Sequence, residues 1–314
     1  MNHPRSNIEV QTAAVMDDDE IDLLELWRAL WQGKLLIIAL TALFTVAAVV
    51  IALQMTNIYR AEALLAPVDE KQGGLSAMAN QFGGLAALAG VNLGSTGGKT
   101  ATAIATLKSR AFIDSVIQKH QLLVPLVAGT WSKELGRSVI DPELYDEATQ
   151  TWVRKVSGPK QSKPSAWEAY KAFKEILSVS EDKNSGLVTV AIEWPDASQA
   201  QRWVSWLVED INHHFKQQDV AEAERSIRYL EQQLEQTPLV AMQQVFYQLI
   251  ESQTKTQMLA NARDEYIFQV IDPAVVAEEK IKPKRALIVV LGTLLGGMLS
   301  VFVVLIRYFV KKRQ

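Results

Sequence analysis

The 314-residue chain contains no cysteine. Disulfides, thiolate nucleophiles and cysteine-bound zinc or iron–sulfur centres are therefore excluded. It also lacks an excess of positive charge: 32 Lys and Arg stand against 35 Asp and Glu, a formal net charge of −3. With the two signs interspersed there is no basic face to hold a nucleic-acid backbone, and nucleic acid is not an expected partner. A Ser/His/Asp grouping or a Gly-x-Ser-x-Gly turn in usable context is missing too. His213 and His214 are adjacent, so on a helix they point about 100° apart, unlike the i, i+4 pair of a metalloprotease helix. GSTGGKT, at residues 94–100, resembles a phosphate-binding loop, but the spacing fails: the residue five places before Gly98 is Leu93, and Gly94 comes one step late. The expectation is a protein with no catalytic, cofactor-binding or metal-binding residues and no cofactor.

What the chain does have is two long uncharged runs. Leu35 to Leu53 is 19 residues without a charge, and Ala286 to Ile306 is 21 more. Each matches the hydrocarbon thickness of a bilayer, where a helix satisfies its own backbone. A cleavable signal peptide fits the first run poorly, because 34 residues precede it, including the acidic run Asp17, Asp18, Asp19 and Glu20. Two spans put both termini on one side of the membrane and the 232 residues from Gln54 to Arg285 on the other. Basic residues near the spans tie at six on each side, Arg28, Lys34, Arg307, Lys311, Lys312 and Arg313 against Arg60, Lys71, Lys280, Lys282, Lys284 and Arg285. The compact basic C-terminal tail favours cytoplasmic termini. Before the first span, Ile21, Leu24, Trp27 and Trp31 recur at helical spacing, which suits an interfacial amphipathic helix or a short helix packed on another protein. In the second span Gly292, Gly296 and Ser300 form a ridge of small residues along which helices can approach closely.

Between the spans, Ile58 to Ala66 has strand character and ends at Pro67. Eight of the 16 glycines fall between Gly73 and Gly98, a loop with at most one short helix whose apolar face is Leu75, Met78, Phe82, Leu85 and Ala89. A helix is expected from Thr102 to His120, and another from near Ser165. The region around Trp131, Pro142 and Pro159 suits loops with a short helix. Ile176 to Ser180, Leu187 to Trp194 and Tyr266 to Ile271 are further strands, giving a small sheet covered by helices. From Ala197 to Gln236 one helix is expected, capped near Asp196 or Ser198 and stopped by Pro238. Forty residues at about 1.5 Å each make about 60 Å, longer than so small a domain is wide, so the helix should project. A second helix from Leu239 to about Ala262 folds back or continues it. Along the long helix, Leu207, Ile211, Ile227, Leu230 and Leu234 need cover from the same chain or from neighbouring copies.

In this order the segments resemble the chain-length determinant (Wzz) family, the polysaccharide co-polymerases of Gram-negative inner membranes. The resemblance is carried by IDLLELWRALWQGK before the first span, NIYRAEALLAP after it, TLKSRAFIDSVI, GLVTVAIEWPDASQAQRWVSWLVEDIN and YIFQVIDPAVVAEEKIKPKRALIVVLGTLLGGMLS. The family pattern Ser-Pro-Lys, eleven residues, Gly, three residues, Gly is met at Pro283, Lys284 and Gly296; Lys282 replaces the serine and Ser300 the last glycine. Ala274 and Ala277 stand where the family has two prolines.

The resemblance implies an α+β fold: two transmembrane helices bracketing a periplasmic α/β base with a long projecting helical arm. The expected divisions are a cytoplasmic tail with the interfacial helix at 1–34, spans at 35–53 and 286–306, a periplasmic domain at 54–285, and a tail at 307–314. Within the periplasmic domain the base is 54–195 with 263–285, and the arm is 196–262. It further implies a ring-like homo-oligomer that is not an enzyme and that sets the modal length of lipopolysaccharide O antigen. Its partners would be a membrane O-antigen polymerase, the lipid-linked polysaccharide and the bilayer. Two alternatives stand beside this. One is a capsule or exopolysaccharide co-polymerase, whose larger relatives carry or recruit a tyrosine kinase. The other is a two-span extracytoplasmic sensor. With tails of 34 and eight residues, the chain is expected to carry no kinase or signalling module of its own, while a separate kinase partner stays open.

Overall fold

The computed structural model describes residues 23–68, 96–158 and 160–312. The acidic run at 17–20, Ile21 and the expected helix at 75–89 lie outside the described residues. The chain divides into two compact units, one of Met1–Met55 with Lys284–Gln314 and one of Thr56–Pro283.

In the first unit, helices Lys34–Gln54 and Arg285–Lys312 are both long and apolar enough to cross a membrane. The first exceeds its uncharged run by one residue at each end and the second by one at its start and six at its end, since charged and polar residues outside the bilayer can continue the helical bonding. They pack antiparallel: Arg285 Nε donates to Ala52 O at one end (3.2 Å), and Gly33 lies against Val304 at the other. The 19 steps from Gly33 to Ala52 rise about 29 Å, the thickness of a hydrocarbon core. A further helix, Leu23–Gln32, precedes the first span. Helical hydrogen bonds run through the junction, Gly33 N to Ala29 O and Ile37 N to Gly33 O, each 3.0 Å. Ala29 is buried, and this helix packs along the C-terminal span.

In the second unit, β1 (Ile58–Pro67), β2 (Leu177–Glu181), β3 (Val188–Trp194), β4 (Phe268–Asp272) and β5 (Lys280–Lys282) form one antiparallel sheet. Its order is β2-β3-β1-β4, with β5 alongside β4 on the free edge of β1. Period-two burial puts Ala61, Ala63 and Leu65 on the core face, opposite Ile192, Val190 and Val188. Between β2 and β3, Asp182 Oδ1 accepts from Asn184 N (2.9 Å), and Gly186 turns the chain at φ +71°, a conformation glycine adopts without a Cβ clash. Strand β5 was not among the expected strands. It consists of two lysines around Ile281 and acquires strand geometry only by pairing with Ile58 and Tyr59.

The helix expected from Thr102 to His120 is instead two, Thr96–Leu107 and Arg110–Lys119. Ser109 takes an extended backbone and its Oγ accepts from Phe112 N (3.3 Å), so it starts a new helix rather than continuing the old one. The GSTGGKT segment contributes its described residues, 96–100, to the first of these helices. The region around Trp131 forms helix Leu123–Ala128 and two small hairpins, Gly129–Ser132 with Arg137–Ile140 and Tyr145–Asp146 with Thr151–Trp152. Helix Ala166–Ile176 opens with a capping box at Ser165 and Glu168.

Glu168 also accepts from Arg154 Nη2 (2.8 Å) and from the Ser165 amide (3.0 Å). The Arg154 hydrogen bond, then that amide, hold its carboxyl at about 2, well below the ordinary 4.5. A depressed carboxyl stabilises the fold in full above its unfolded pKa and loses that contribution as the pH falls through the folded value. Thermal melts of the chain and of Glu168→Gln should therefore converge between pH 4.5 and about 2, the parent losing more stability across that window. Parallel pH profiles would contradict the assignment.

The long helix is Ala197–Gln236, with Asp196 Oδ1 accepting from Ser198 N and Gln199 N at 3.0 Å each. Its first half lies in the core: Trp203, Val204, Leu207, Ile211 and Phe215 are buried with Phe112, Val116, Phe173 and the β3 residues. Trp203 sits between Trp194 and Phe173, with ring centroids 4.9 and 6.2 Å away. Beyond Phe215 only Ala223 is buried along it. The chain folds back as helix Val240–Ala262. The pairing is marked by Gln257 Nε2 donating to Glu224 (3.3 Å) and Lys216 Nζ donating to Arg263 O (3.1 Å).

Candidate functional site

The predicted family residues of the second span meet the first span residue by residue. A Cβ on Gly292 would lie 2.5 Å from the Ala48 Cβ, and one on Gly296 2.5 Å from the Phe44 Cβ. One turn on, the Ser300 and Thr41 hydroxyls are 3.2 Å apart, and those of Thr293 and Thr45 are 3.0 Å apart. Ser300 is fully buried. The small-residue ridge therefore packs the two spans of one chain together, in the close-approach manner such ridges allow. Pro283 is buried and Lys284 exposed. They follow β5, whose Lys282 Nζ donates to Glu193 Oε2 (2.6 Å). Pairing of β5 with the start of β1 brings the segment leaving the first span beside the segment leading to the second.

The five residues expected on the arm divide into two groups. Leu207 and Ile211 are fully buried in the unit's own core, so their stripe faces the sheet. Ile227, Leu230 and Leu234 are half-buried in the two-helix hairpin. On the return helix Val240, Met242, Val245, Leu249 and Met258 are exposed. Of these, Met242, Val245 and Leu249 fall within about 60° of one another around the helix, one exposed apolar face of the hairpin.

The root of the hairpin is held by Asn212, which the sequence reading missed. Its Oδ1 accepts from the amides of Tyr266, Ile267 and Phe268 at 3.0, 2.8 and 2.9 Å. Its Nδ2 donates to Phe268 O (3.0 Å) and Val208 O (3.2 Å). Tyr266 OH donates to Asp219 Oδ2 (2.6 Å) beside it. Two turns of chemistry thus lock the returning strand to the long helix. Nearby, buried Asp210 pairs with Lys119 and with His120 Nε2 (2.8 Å), and the His120 ring stacks on Trp206 at 4.3 Å. This closes the end of helix Arg110–Lys119 onto the long helix. A cleft of about 440 Å³ lies alongside, with Glu209, His213, Lys216 and Glu265 among its polar walls. Among the described residues there is no group of His, Asp and Glu arranged to hold a metal ion. Asp210 and Asn212 spend their polar atoms on structure rather than on an open site.

Residues 19–120 match the family described as Wzz, chain length determinant protein, and residues 234–309 match GNVR, a G-rich domain on putative tyrosine kinase. Tyrosine-protein kinase etk of Escherichia coli (strain K12) is 48% identical over 56 residues, 18% of this chain and 8% of that protein. The same figures hold for etk of Escherichia coli O157:H7. The match thus spans a small fraction of these relatives' length. A full-length bacterial polysaccharide co-polymerase is similar over 94% of this chain and 99% of its own, at 15% identity and a TM-score of 0.43. A fragment of WzzB, polysaccharide co-polymerase from Salmonella Typhimurium, covers 72% of this chain and 100% of its own, at 12% identity and a TM-score of 0.32.

Proposed function

From the chain length determinant domain of the Wzz family that this chain carries at residues 19–120, we propose that it is a non-enzymatic polysaccharide co-polymerase that sets the modal length of lipopolysaccharide O antigen. It works with a separate membrane polymerase on the lipid-linked glycan. The observation that carries this is the domain match itself, which takes in the first span and β1. It is supported by a membrane hairpin pinned by Gly292, Gly296 and Ser300 and by a hairpin of helices with an uncovered apolar face. That face is covered by further copies in a ring-like homo-oligomer, in which the arm presents repeated surfaces to polymerase or glycan. On deletion of the gene, polymer should still be made, but lipopolysaccharide bands should spread from a clustered length to a broad distribution on a gel. Loss of all polymer would refute length control in favour of assembly or export.

The base and arm lie in the periplasm, between spans of the inner membrane, with both termini cytoplasmic. Absence of cysteine makes this directly measurable. In intact spheroplasts, Ser185→Cys should react with a membrane-impermeant maleimide and Lys311→Cys should not. The reverse pattern would invert the topology.

A capsule or exopolysaccharide co-polymerase is the second possibility, favoured by the GNVR match at 234–309 and the short match to etk. It acts with a tyrosine kinase. In that case deletion leaves lipopolysaccharide bands clustered and changes the size or amount of secreted polysaccharide instead.

A further inference from the structure

We propose that the membrane unit carries a headgroup-level collar selective for anionic phospholipid, built from Trp27, Arg28, Trp31 and Lys34 on the N-terminal side and Arg307 and Lys311 on the C-terminal helix. The inference rests on the two helices being bilayer spans. Along the N-terminal helices, Trp27, Trp31, Leu35 and Ile38 are 64, 62, 76 and 63% exposed and follow one another at intervals of four, four and three residues. Helical bonding continues through Gly33, so these four residues form one stripe on one face. Its lower part, Leu35 and Ile38, is the lipid-facing surface of the span. The tryptophans continue that same surface past its end.

The level of that end is given by the antiparallel register. Gly33 opposite Val304 and Ala52 at Arg285 bound the hydrocarbon-thick stretch. Trp27, Arg28 and Trp31 lie within two turns beyond Gly33, and Arg307 and Lys311 within two turns beyond Val304. Both sets therefore occupy the same layer, where indole rings are stable because an apolar body and a polar N–H are both accommodated. The Trp27 and Trp31 rings stack at 6.1 Å, and Lys34 Nζ stands 4.9 Å over the Trp31 ring. Arg28, Lys34, Arg307 and Lys311 are exposed, and among the described residues none of the four has an ion-pair partner. Four exposed cations around an aromatic stripe at headgroup depth are complementary to a lipid that brings an acyl chain to the rings and a phosphate to the cations.

The test uses the full chain in nanodiscs of phosphatidylcholine containing a few per cent of dansyl-labelled lipid, either phosphatidylglycerol or phosphatidylcholine. Energy transfer from tryptophan reports how much labelled lipid sits at the protein edge. The labelled phosphatidylglycerol should be enriched at least about threefold over the labelled phosphatidylcholine. The combined variant Arg28→Gln, Lys34→Gln, Arg307→Gln, Lys311→Gln should bring the two labels level, with thermal unfolding of the soluble unit unchanged. Equal transfer from both lipids in the parent, or enrichment that survives the fourfold variant, overturns the proposal. Failure of the chain to enter nanodiscs at all would instead overturn the reading of the two helices as spans, and the collar with it.

Discussion

Asn212→Leu should cost the unit of Thr56–Pro283 about 3 kcal/mol or more. Asn212 is 4% exposed and its one oxygen satisfies three consecutive amides, those of Tyr266, Ile267 and Phe268. Leucine fills a similar volume but removes the acceptor of the two buried amides, those of Ile267 and Phe268, and each buried unsatisfied polar group costs about 1–3 kcal/mol. The two bonds from Nδ2 are lost as well. Set against a typical stability of about 5–15 kcal/mol, this is a large fraction. Asn212→Asp keeps an acceptor for the amides and should cost less than leucine. Urea unfolding of the full chain in detergent, followed by the fluorescence of buried Trp203, measures both. A loss below about 1 kcal/mol for leucine would show that the strand after the hairpin is held by something else.

The second large effect is expected at Gly296. A side chain there begins 2.5 Å from the Phe44 Cβ and 2.9 Å from its Cγ. Those atoms sit close to the backbone, so a rotamer change cannot clear them and the helices must separate. Separation also breaks the Thr41–Ser300 and Thr45–Thr293 contacts, each worth about 0.6 kcal/mol in a membrane, besides the packing. Because the chain has no cysteine, a disulfide between Thr45→Cys and Thr293→Cys reports this directly. Oxidative cross-linking should be efficient in the parent and fall about fivefold or more with Gly296→Leu. An undiminished cross-link would mean that the glycine ridge does not set the spacing of the spans. Gly292→Leu, opposite Ala48, should behave in the same way.

Much of the architecture was legible because its causes are local. The spans announce themselves by an uninterrupted lack of charge, and the long helix by Asp196 and Pro238 at its ends. What escaped depends on partners distant in the chain. Nothing in Lys280–Lys282 favours a strand except the edge of β1 that it meets. Ser109 breaks a helix whose apolar spacing, from Leu107 to Phe112 and Val116, runs on as though unbroken. Leu207 and Ile211 look like members of one stripe with Ile227, Leu230 and Leu234, but only the first two reach the sheet. Asn212 reads as one more polar residue on an amphipathic helix, and only the return of the chain at residues 266–268 reveals its role. The ridge at Gly292, Gly296 and Ser300 was visible, while its partner was not, because one helix does not say which other helix it meets.

Length control without polymer synthesis predicts a dissociation that a single sample can display. In a deletion strain, and in the same strain complemented with the parent chain, total glycan is quantified by sugar analysis and its length distribution is read on a gel. The account predicts similar totals in both, with a clustered length only where the parent chain is present. A distribution that stays clustered in the deletion strain, or a total that collapses with it, would contradict the account.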